Sequence, residues 1–398
     1  MMHVPFFRPS ITDAEVAAVT GVLRSGWLTT GPRCREFETR FAEAVAARHA
    51  VALSSCTSAL HLALEALGVR GGDLVLVPAL TFAATAEVAC HLGAVPVFVD
   101  VDAKTLCMDA AAAGRTLAVL REGRPIAGLA PPYGAVRAIV PVHYGGLVAD
   151  VVGLRRLAAE HGVAVVEDCA HAFPAQYRDD GWRPAGAGAD VACWSFYANK
   201  TITTGEGGMA TTDRPDRADR IRCMSLHGMS QDAWRRFERG GSWDYEIVAA
   251  GHKYNLTDLA AALGLVQLER ANELWQRRRT LAARYTEALA GIAEIDLPVE
   301  PEDRRSAWHL YAVRVHHGAR DAVVKRLRER GVGTSVHWRP LPLQPYYRDR
   351  WGYRPETFPV AAREFPRLIS LPIFPDMTEA EQDHVVRELR SALATAKS

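Results

Sequence analysis

The segment that decides the fold is residues 190–212, DVACWSFYANKTITTGEGGMATT, which has Lys200 near its centre. The apolar run 191–196 predicts a buried strand, and residues 209–212 predict a second short strand after the glycines. Lys200 therefore follows the end of a strand, where loss of hydration favours its neutral amine. A neutral amine condenses with a carbonyl compound to form a Schiff base. Taken alone, a solvated loop lysine is the commoner explanation, so the role of Lys200 depends on the rest of the chain.

The composition is that of an ordinary globular protein of 398 residues, 48% of them hydrophobic, and this length allows two domains with buried cores. The formal net charge of +1 argues against nucleic acid or an anionic membrane as the main partner. The seven cysteines form no CxxC pair and are odd in number, which favours reduced thiols over a disulfide framework. Neither a signal peptide nor a membrane-spanning run is recognisable, so we expect a cytoplasmic protein.

Apolar strands alternate with amphipathic helices through the first half of the chain. Strands are predicted at residues 50–54, 74–82, 95–100, 138–142 and 163–168, with helices at 57–67, 85–92 and 151–161. Strands this apolar are buried on both faces, which indicates an α/β fold with a mainly parallel sheet between layers of helices. In such a fold, ligands bind at the C-terminal ends of the strands.

We predict two domains. The first is a large domain with an N-terminal arm over residues 1–255, and the second is a connecting helix with a small C-terminal α+β domain over residues 256–398. In the arm, Ser10 or Thr12 is expected to cap a helix.

The remaining predictions concern the C-terminal part of the chain and two irregular segments. From residue 256 onward, the predicted elements are helices at 259–289 and 321–330, strands at 308–315 and 333–338, and a last helix that opens with a capping box between Thr378 and Glu381. Two segments have no regular pattern, the Gly- and Pro-rich residues 121–137 and the charged and aromatic residues 231–252.

Small hydroxyl residues stand between the first predicted strand and its helix, in the sequence SSCTS at residues 54–58. Hydroxyl donors and free backbone N–H groups at a helix N-terminus suit a phosphate dianion. A plain N-cap explains the motif alone equally well.

Two further strand ends carry residues that suit a pyridoxal phosphate (PLP) site. Asp168 ends a buried strand, and a carboxylate beside the pyridine nitrogen of PLP keeps that nitrogen protonated, as an electron sink requires. Its alternative role is a helix N-cap. Phe82 follows another strand, where its ring can stack on the pyridine ring or belong to the core.

Other motifs that bind cofactors are missing from the sequence. No GxGxxG joins a strand to a helix, and Lys200 lacks the preceding glycine of a nucleoside triphosphate loop. His143, His171 and the other histidines are scattered, without the spacing of metal ligands, and are expected to be structural. We therefore expect no metal.

Eight segments in order resemble the DegT/StrS family of PLP-dependent sugar aminotransferases. They are GWLTTGP (26–32), SSCTSAL (54–60), PALTF (78–82), VPVHYGG (140–146), VVEDCAHA (165–172), SFYANKTITTGEGG (195–208), GHKYNLTDLAAALGLVQL (251–268) and LISLPIFPDMT (368–378). The resemblance covers nearly the whole chain except residues 121–137, and it implies the aspartate aminotransferase fold, called fold type I. That fold has a mainly parallel seven-stranded sheet in the large domain. Within the family, the chain is most similar to enzymes that aminate C4 of UDP-linked keto-pentoses.

The resemblance also implies a role for each matched residue. Lys200 would form the Schiff base with PLP and move the proton, Asp168 would pair with the pyridine nitrogen, and His171 would approach the phenolic oxygen. Asn255 would reach the phosphate of the neighbouring subunit, which implies a homodimer with shared active sites. The remaining cofactor contacts would be Ser55, Cys56, Thr57, Ser58 and Ser195 around the phosphate and Phe82 over the ring.

The expected reaction is transfer of an amino group, with glutamate as the donor by resemblance, to the keto group of a UDP- or dTDP-linked sugar. Four residues are candidates for the diphosphate, or are equally well solvated surface charges: Lys253, His337, Arg339 and Arg348. A keto-cyclitol acceptor and a PLP-binding regulator remain alternatives. A dehydratase of the same fold is disfavoured because relatives of that kind replace the lysine, which is intact here.

Overall fold

The computed structural model describes residues 2–229 and 245–395. Its centre is a seven-stranded sheet with the order β1-β9-β8-β5-β4-β2-β3. Strand β9 runs antiparallel to both of its neighbours, and the other pairs are parallel. The strands are β1 His49–Leu53, β2 Leu74–Pro78, β3 Val95–Val99, β4 Val136–Ile139, β5 Ala164–Asp168, β8 Val191–Ser195 and β9 Gly208–Thr212.

Seven helices of the described residues precede, connect or follow these strands. They are α1 Asp13–Ser25, α2 Pro32–Ala44, α3 Cys56–Ala66, α4 Ala83–His91, α5 Ala110–Arg121, α6 Val151–His161 and α7 Pro215–Ser225. The apolar strand residues are buried, as expected for a sheet covered by helices. Helix α2 packs on β8 through aromatic rings, since Phe41 and Trp194 have centroids 5.4 Å apart. The predicted mainly parallel sheet is therefore present.

The C-terminal part has a second core around a three-stranded antiparallel sheet, β10 Ile295–Asp296, β12 Tyr311–Val315 and β13 Leu368–Leu371. A further small sheet joins β6 Gln176–Asp179 and β7 Gly181–Pro184 to β11 Arg304–Arg305. The remaining helices are α8 Asp258–Glu269, α9 Ala271–Leu289, α10 Arg320–Glu329, α11 Pro345–Trp351, α12 Pro359–Glu364 and α13 Glu379–Thr395.

The N-terminal arm pairs with a distant segment. Val4 donates its N–H to the Gly331 carbonyl, and Gly333 donates to the Val4 carbonyl, both at 2.8 Å. Thr12 is the residue that caps α1, where it forms a capping box with Glu15. Of the two predicted caps, Thr12 is therefore correct.

Two predicted elements differ from the structure. The single helix expected at 259–289 is divided at Arg270, which ends α8 and precedes α9. The strand expected at 333–338 is absent, because this segment pairs with β13 only through a bridge between Ser335 and Ser370. Most of the predicted loop 231–252 lies outside the described residues.

The irregular segment at 121–137 is shorter than predicted, because α5 ends at Arg121 and β4 begins at Val136. Its turn is closed by the Tyr133 hydroxyl, which donates to the carbonyl of Arg124 at 2.9 Å. The segment packs against the α11 region, since a Cβ at Gly128 would lie 2.4 Å from the Trp351 carbonyl. Its conformation thus depends on a distant part of the chain.

Among the helices of the described residues, none combines the length and apolar character needed to cross a bilayer.

The junction between α8 and α9 is held by a buried carboxylate on α1. Glu15 is buried and accepts hydrogen bonds from Gln267 Nε2 and Arg270 Nη1, both at 2.7 Å. Burial opposes its ionisation, but the hydrogen bonds from Thr12, Arg270 and Gln267 outweigh burial and lower the pKa of Glu15 to about 2. Its stabilising effect is therefore complete above pH 4.5 and lost as the pH falls towards 2.

We predict that Glu15→Gln lowers the free energy of unfolding by about 2 kcal/mol at pH 7, because Arg270 loses its buried partner. Urea unfolding should show this difference, and the difference should shrink as the pH is lowered below 4.5. Glu36→Gln is the matched control, because it removes only exposed ion pairs, those with Arg33 and Arg40. Equal stability of Glu15→Gln and the wild type at pH 7 would contradict the prediction.

Candidate active site

The predicted site residues follow strands that end at one edge of the large sheet. Strands β2, β5 and β8 are parallel, and β1 points the same way as β8 because both are antiparallel to β9. The C-terminal ends of these four strands lead to residues 54–58, Phe82, Asp168 and Lys200. This is the edge at which α/β sheets bind ligands.

Asp168 is a buried carboxylate at the end of β5. Its Oδ2 accepts the Thr85 hydroxyl proton at 2.8 Å, and its Oδ1 accepts the Ala170 N–H at 3.1 Å. Burial raises the pKa of Asp168, although these hydrogen bonds and the charge of Lys200 oppose the rise. Across the described ranges, no Lys, Arg or His nitrogen forms an ion pair with Asp168, so a cationic ligand would relieve the cost of its burial.

Lys200 lies partly buried just beyond β8, and its backbone N–H donates to the Tyr197 carbonyl at 2.9 Å. Burial lowers the pKa of its ammonium to about 8, against the opposite influence of Cys56 and Asp168. About a tenth of Lys200 is therefore the neutral, nucleophilic amine at pH 7, far more than at the ordinary pKa of lysine. Its electrostatic interaction with Asp168 means that the two residues share one site.

Helix α3 begins with a reciprocal serine cap. The Ser55 side chain accepts the Ser58 N–H, and the Ser58 hydroxyl accepts the Ser55 N–H, both at 3.0 Å. The N–H groups of Cys56 and Thr57 have no acceptor within the helix, because they belong to its first turn. The motif is therefore an N-cap that also suits a phosphate dianion, because the cap leaves N–H donors free at the positive end of the helix.

A close contact joins this helix start to the Lys200 strand. Ser195 pairs with Gly208 across β8 and β9, and Gly208 pairs with Leu53 across β9 and β1. A Cβ at Gly208 would lie 2.3 Å from the Ser55 carbonyl carbon and 2.5 Å from the Cys56 nitrogen. Only glycine therefore lets β9 approach the first turn of α3 at this position.

His171 belongs to a row of rings beside Lys200. Its ring lies 4.2 Å from that of His309 and stacks on that of Trp338 at 5.2 Å. Burial, followed by the charge of Lys200, lowers the pKa of His171 well below its usual range, so the imidazole is neutral. Its Nδ1 is buried without a hydrogen-bond partner among the described residues.

Phe82 and Asn255 occupy different surroundings. The Phe82 ring is 59% exposed and lies 6.4 Å from Trp338, so it is available to a ligand and does not belong to the core. Asn255 forms a bridge with Leu53 of its own chain, and its side chain donates to the Thr30 hydroxyl at 2.7 Å. Asn255 thus contacts residues of its own chain near the start of α3.

Glu167, next to Asp168, belongs to a separate buried network. It accepts hydrogen bonds from Arg155, from the Gly186 N–H and from His143, whose other nitrogen accepts the Ala149 N–H. The ligand atoms of His143, Glu167 and Cys169 lie within 4.8 Å of one another. These groups are already engaged, and burial raises the pKa of the Cys169 thiol, so the arrangement is a structural network.

Comparisons with known proteins agree with this geometry. A sequence model of the DegT/DnrJ/EryC1/StrS aminotransferase family matches residues 9–390. The chain belongs to this family. It is 41% identical to the spore coat polysaccharide biosynthesis protein SpsC of Bacillus subtilis, over 99% of this chain and 98% of SpsC.

Solved structures of relatives have the same fold. Spr1654 of Streptococcus pneumoniae, proposed as a sugar aminotransferase, was solved in a PLP form. It is 33% identical, with a TM-score of 0.88 over 99% of this chain and all of that one. The aminotransferase TlmJ of Streptoalloteichus hindustanus is 35% identical, with a TM-score of 0.87 over both complete chains. The predictions of the family, of fold type I, of an aminotransferase and of PLP as its cofactor are confirmed.

The residues at the sheet edge fit PLP in this DegT/DnrJ/EryC1/StrS aminotransferase. Asp168 is a buried carboxylate that lacks a cation, which a protonated pyridine nitrogen would supply. The start of α3 offers N–H donors to the phosphate, and Lys200 offers an amine that is partly neutral. The individual contacts of Ser55, Cys56, Thr57, Ser58, Phe82, His171, Ser195 and Asn255 with the cofactor stay predictions.

Several residues at this site were missed by the sequence reasoning. Thr85 contacts Asp168 directly, and Trp338 and His309 stand beside His171. One signal for Thr85 was present, because it is a small hydroxyl residue just beyond the strand predicted at 74–82. The sequence offers no comparable signal for Trp338 and His309, which reach the site through the tertiary fold.

We predict that Gly208→Ala weakens PLP binding at least 10-fold, because its Cβ would displace the Ser55–Cys56 peptide that forms the start of α3. Titration of the apoenzyme with PLP, followed by absorbance, measures this affinity. Gly21→Ala is the control, because that glycine lies in α1 with open space around it and should accept alanine without loss. Wild-type affinity in a folded Gly208→Ala enzyme would contradict the proposed contact.

Proposed function

We propose that this aminotransferase transfers an amino group from glutamate to the keto group of a nucleotide-linked sugar. The observation that carries the proposal is that Lys200, whose pKa is lowered, and Asp168, a buried carboxylate without an ion pair in the described ranges, follow strands at one sheet edge. The relatives supply the substrate class, because SpsC is named for polysaccharide biosynthesis and Spr1654 is proposed as a sugar aminotransferase.

The residues divide the work between binding and proton transfer. PLP supplies an electron sink and carries the amino group from one substrate to the other. Asp168 holds the pyridine nitrogen in its protonated form, and the start of α3 holds the phosphate. Lys200 would take a proton from the donor Cα in the first half-reaction and give a proton to the acceptor carbon in the second, because its pKa of about 8 lets it act as base and then as acid.

The acceptor pocket lies beside the row of rings formed by His171, Trp338 and His309. Of the cationic candidates for a diphosphate, Arg339 and Lys253 are exposed. Arg348 already donates to Asp349 at 2.7 Å. Burial lowers the pKa of His337 to about 4, so His337 acts as a neutral hydrogen-bonding group. Lys253 already donates to Asn255 Oδ1. We therefore assign the diphosphate to Arg339, which is next to Trp338 in the chain.

We propose further that the enzyme is a homodimer with shared active sites. Helix α1 and the loop after it expose a set of large apolar side chains that a single chain leaves uncovered, Val16, Leu23, Trp27 and Leu28. Light scattering should give twice the chain mass of 43.5 kDa. All seven cysteines are free, which supports the proposed location in the reducing cytoplasm.

We predict that purified enzyme aminates a nucleotide-linked keto-sugar when supplied with glutamate. The experiment incubates it with UDP- and dTDP-linked 4-keto-sugars and, in parallel, with keto-cyclitols, and scores the mass change of amination. Lys200→Ala is the matched control. It should show no amination, and it should lack the absorbance of PLP that is bound to the lysine. Amination of keto-cyclitols alone would replace the proposed acceptor, whereas turnover by Lys200→Ala would refute the assignment of Lys200.

We predict that hybrid dimers of Lys200→Ala and Asn255→Ala chains are more active than either parent. If Asn255 serves the site of the neighbouring subunit, each hybrid has one site in which both residues are intact. Differently tagged chains can be mixed, purified as hybrids and assayed for amination. A hybrid no more active than Asn255→Ala would mean that Asn255 acts within its own subunit, as its bridge to Leu53 would allow.

A further inference from the structure

Two threonines of the α4 region form a hydrogen-bonded chain that ends on Asp168. The Thr81 and Thr85 hydroxyl oxygens are 2.7 Å apart, and Thr85 Oγ1 is 2.8 Å from Asp168 Oδ2. Both threonines are buried, Thr85 completely. Thr85 lies in α4, and its hydroxyl bonds to no carbonyl of that helix in the described structure, although such a bond is common for a helical threonine.

The direction of the protons in this chain follows from chemistry. An ionised carboxylate only accepts, so the single hydroxyl proton of Thr85 points to Asp168. Thr85 Oγ1 then accepts the hydroxyl proton of Thr81. Hydrogen bonds aligned in this way polarise one another, which strengthens the bond that reaches the carboxylate.

Asp168 keeps the capacity to accept further hydrogen bonds. Thr85 occupies one position on Oδ2, and the Ala170 N–H occupies one on Oδ1, so each oxygen keeps a free lone pair. These two donors fix the plane of the carboxylate. Because no cation pairs with Asp168 among residues 2–229 and 245–395, Thr85 is the one side chain seen to support its negative charge through a hydrogen bond.

We propose that Thr85, backed by Thr81, is a positioning residue that keeps Asp168 ionised and turned towards the pyridine nitrogen of PLP. The inference rests on the proposed placement of PLP against Asp168 and adds two residues that act through it. Without the Thr85 hydroxyl, the buried carboxylate gains a proton more easily, and a neutral carboxyl group cannot hold the pyridine nitrogen in its protonated form.

Thr85→Val is a sharp probe of this role, because valine keeps the shape of threonine and removes only the hydroxyl. We expect the apoenzyme to bind PLP 10- to 100-fold more weakly, as measured by absorbance titration. We expect the loss to grow as the pH is lowered, since the Thr85 hydrogen bond opposes the rise in the pKa of Asp168 and is missing in this variant. A threonine with a merely structural role would give no such pH dependence.

Three further variants complete the experiment. Thr85→Ser keeps the hydroxyl and should stay within about threefold of the wild-type affinity, and Thr81→Val should give an intermediate loss because it removes only the outer donor. Thr116→Val is the control, since the Thr116 hydroxyl bonds the Ala112 carbonyl in α5, away from the site. If Thr85→Val does not fold, Thr81→Val decides the question by the same titration.

Asp168→Asn separates this inference from the proposed function. Weak PLP binding in Asp168→Asn with wild-type binding in Thr85→Val and Thr81→Val would overturn the role of the threonines and leave that of Asp168 intact. Wild-type binding in Asp168→Asn would overturn both roles. Failure to aminate any keto-sugar would be seen in the turnover assay and would leave the pattern of PLP affinities unchanged.

Discussion

A carboxylate buried at the end of a central strand is the constraint from which the rest of this site follows. Asp168 is surrounded by protein, and its two hydrogen bonds, from Thr85 and Ala170, do not neutralise its charge. Leaving such a charge unpaired is costly, so a cation placed against the carboxylate would stabilise this region. The apoenzyme is thus preorganised for the cofactor, because the Asp168 carboxylate is already fixed in place before binding.

The antiparallel strand β9 explains how the two ends of the cofactor can be held together. By lying between β8 and β1, it places the first turn of α3 one strand away from the exit that carries Lys200. Gly208 on β9 is the contact point, because a side chain there would overlap the Ser55–Cys56 peptide at the start of α3. The position of the helix start beside β9 is therefore set by the sheet.

The sequence predicted the parts of this architecture that depend on local patterns. Strand exits, the Ser55 cap and the position of Lys200 could be found because apolar runs and small hydroxyl residues signal them directly. The division at Arg270 could not, because its cause is a buried contact with Glu15, about 250 residues away. Likewise, residues 333–338 look like a strand but pair only briefly with β13 and with the N-terminal arm. Thr85 was missed because its importance depends on which face of α4 meets β5.

The two halves of the site come from different parts of the chain, and this division suits an enzyme family with varied acceptors. The residues proposed to hold PLP follow strands of the large sheet and are fixed by its hydrogen bonds. The rings opposite them come from later segments, since His309 precedes β12 and Trp338 follows the bridge to β13. His171 connects the halves, because it follows β5 and stacks on Trp338. Substitutions among the later residues can therefore alter the acceptor pocket while Asp168, Lys200 and the start of α3 keep their geometry, which separates acceptor specificity from the chemistry of amino transfer.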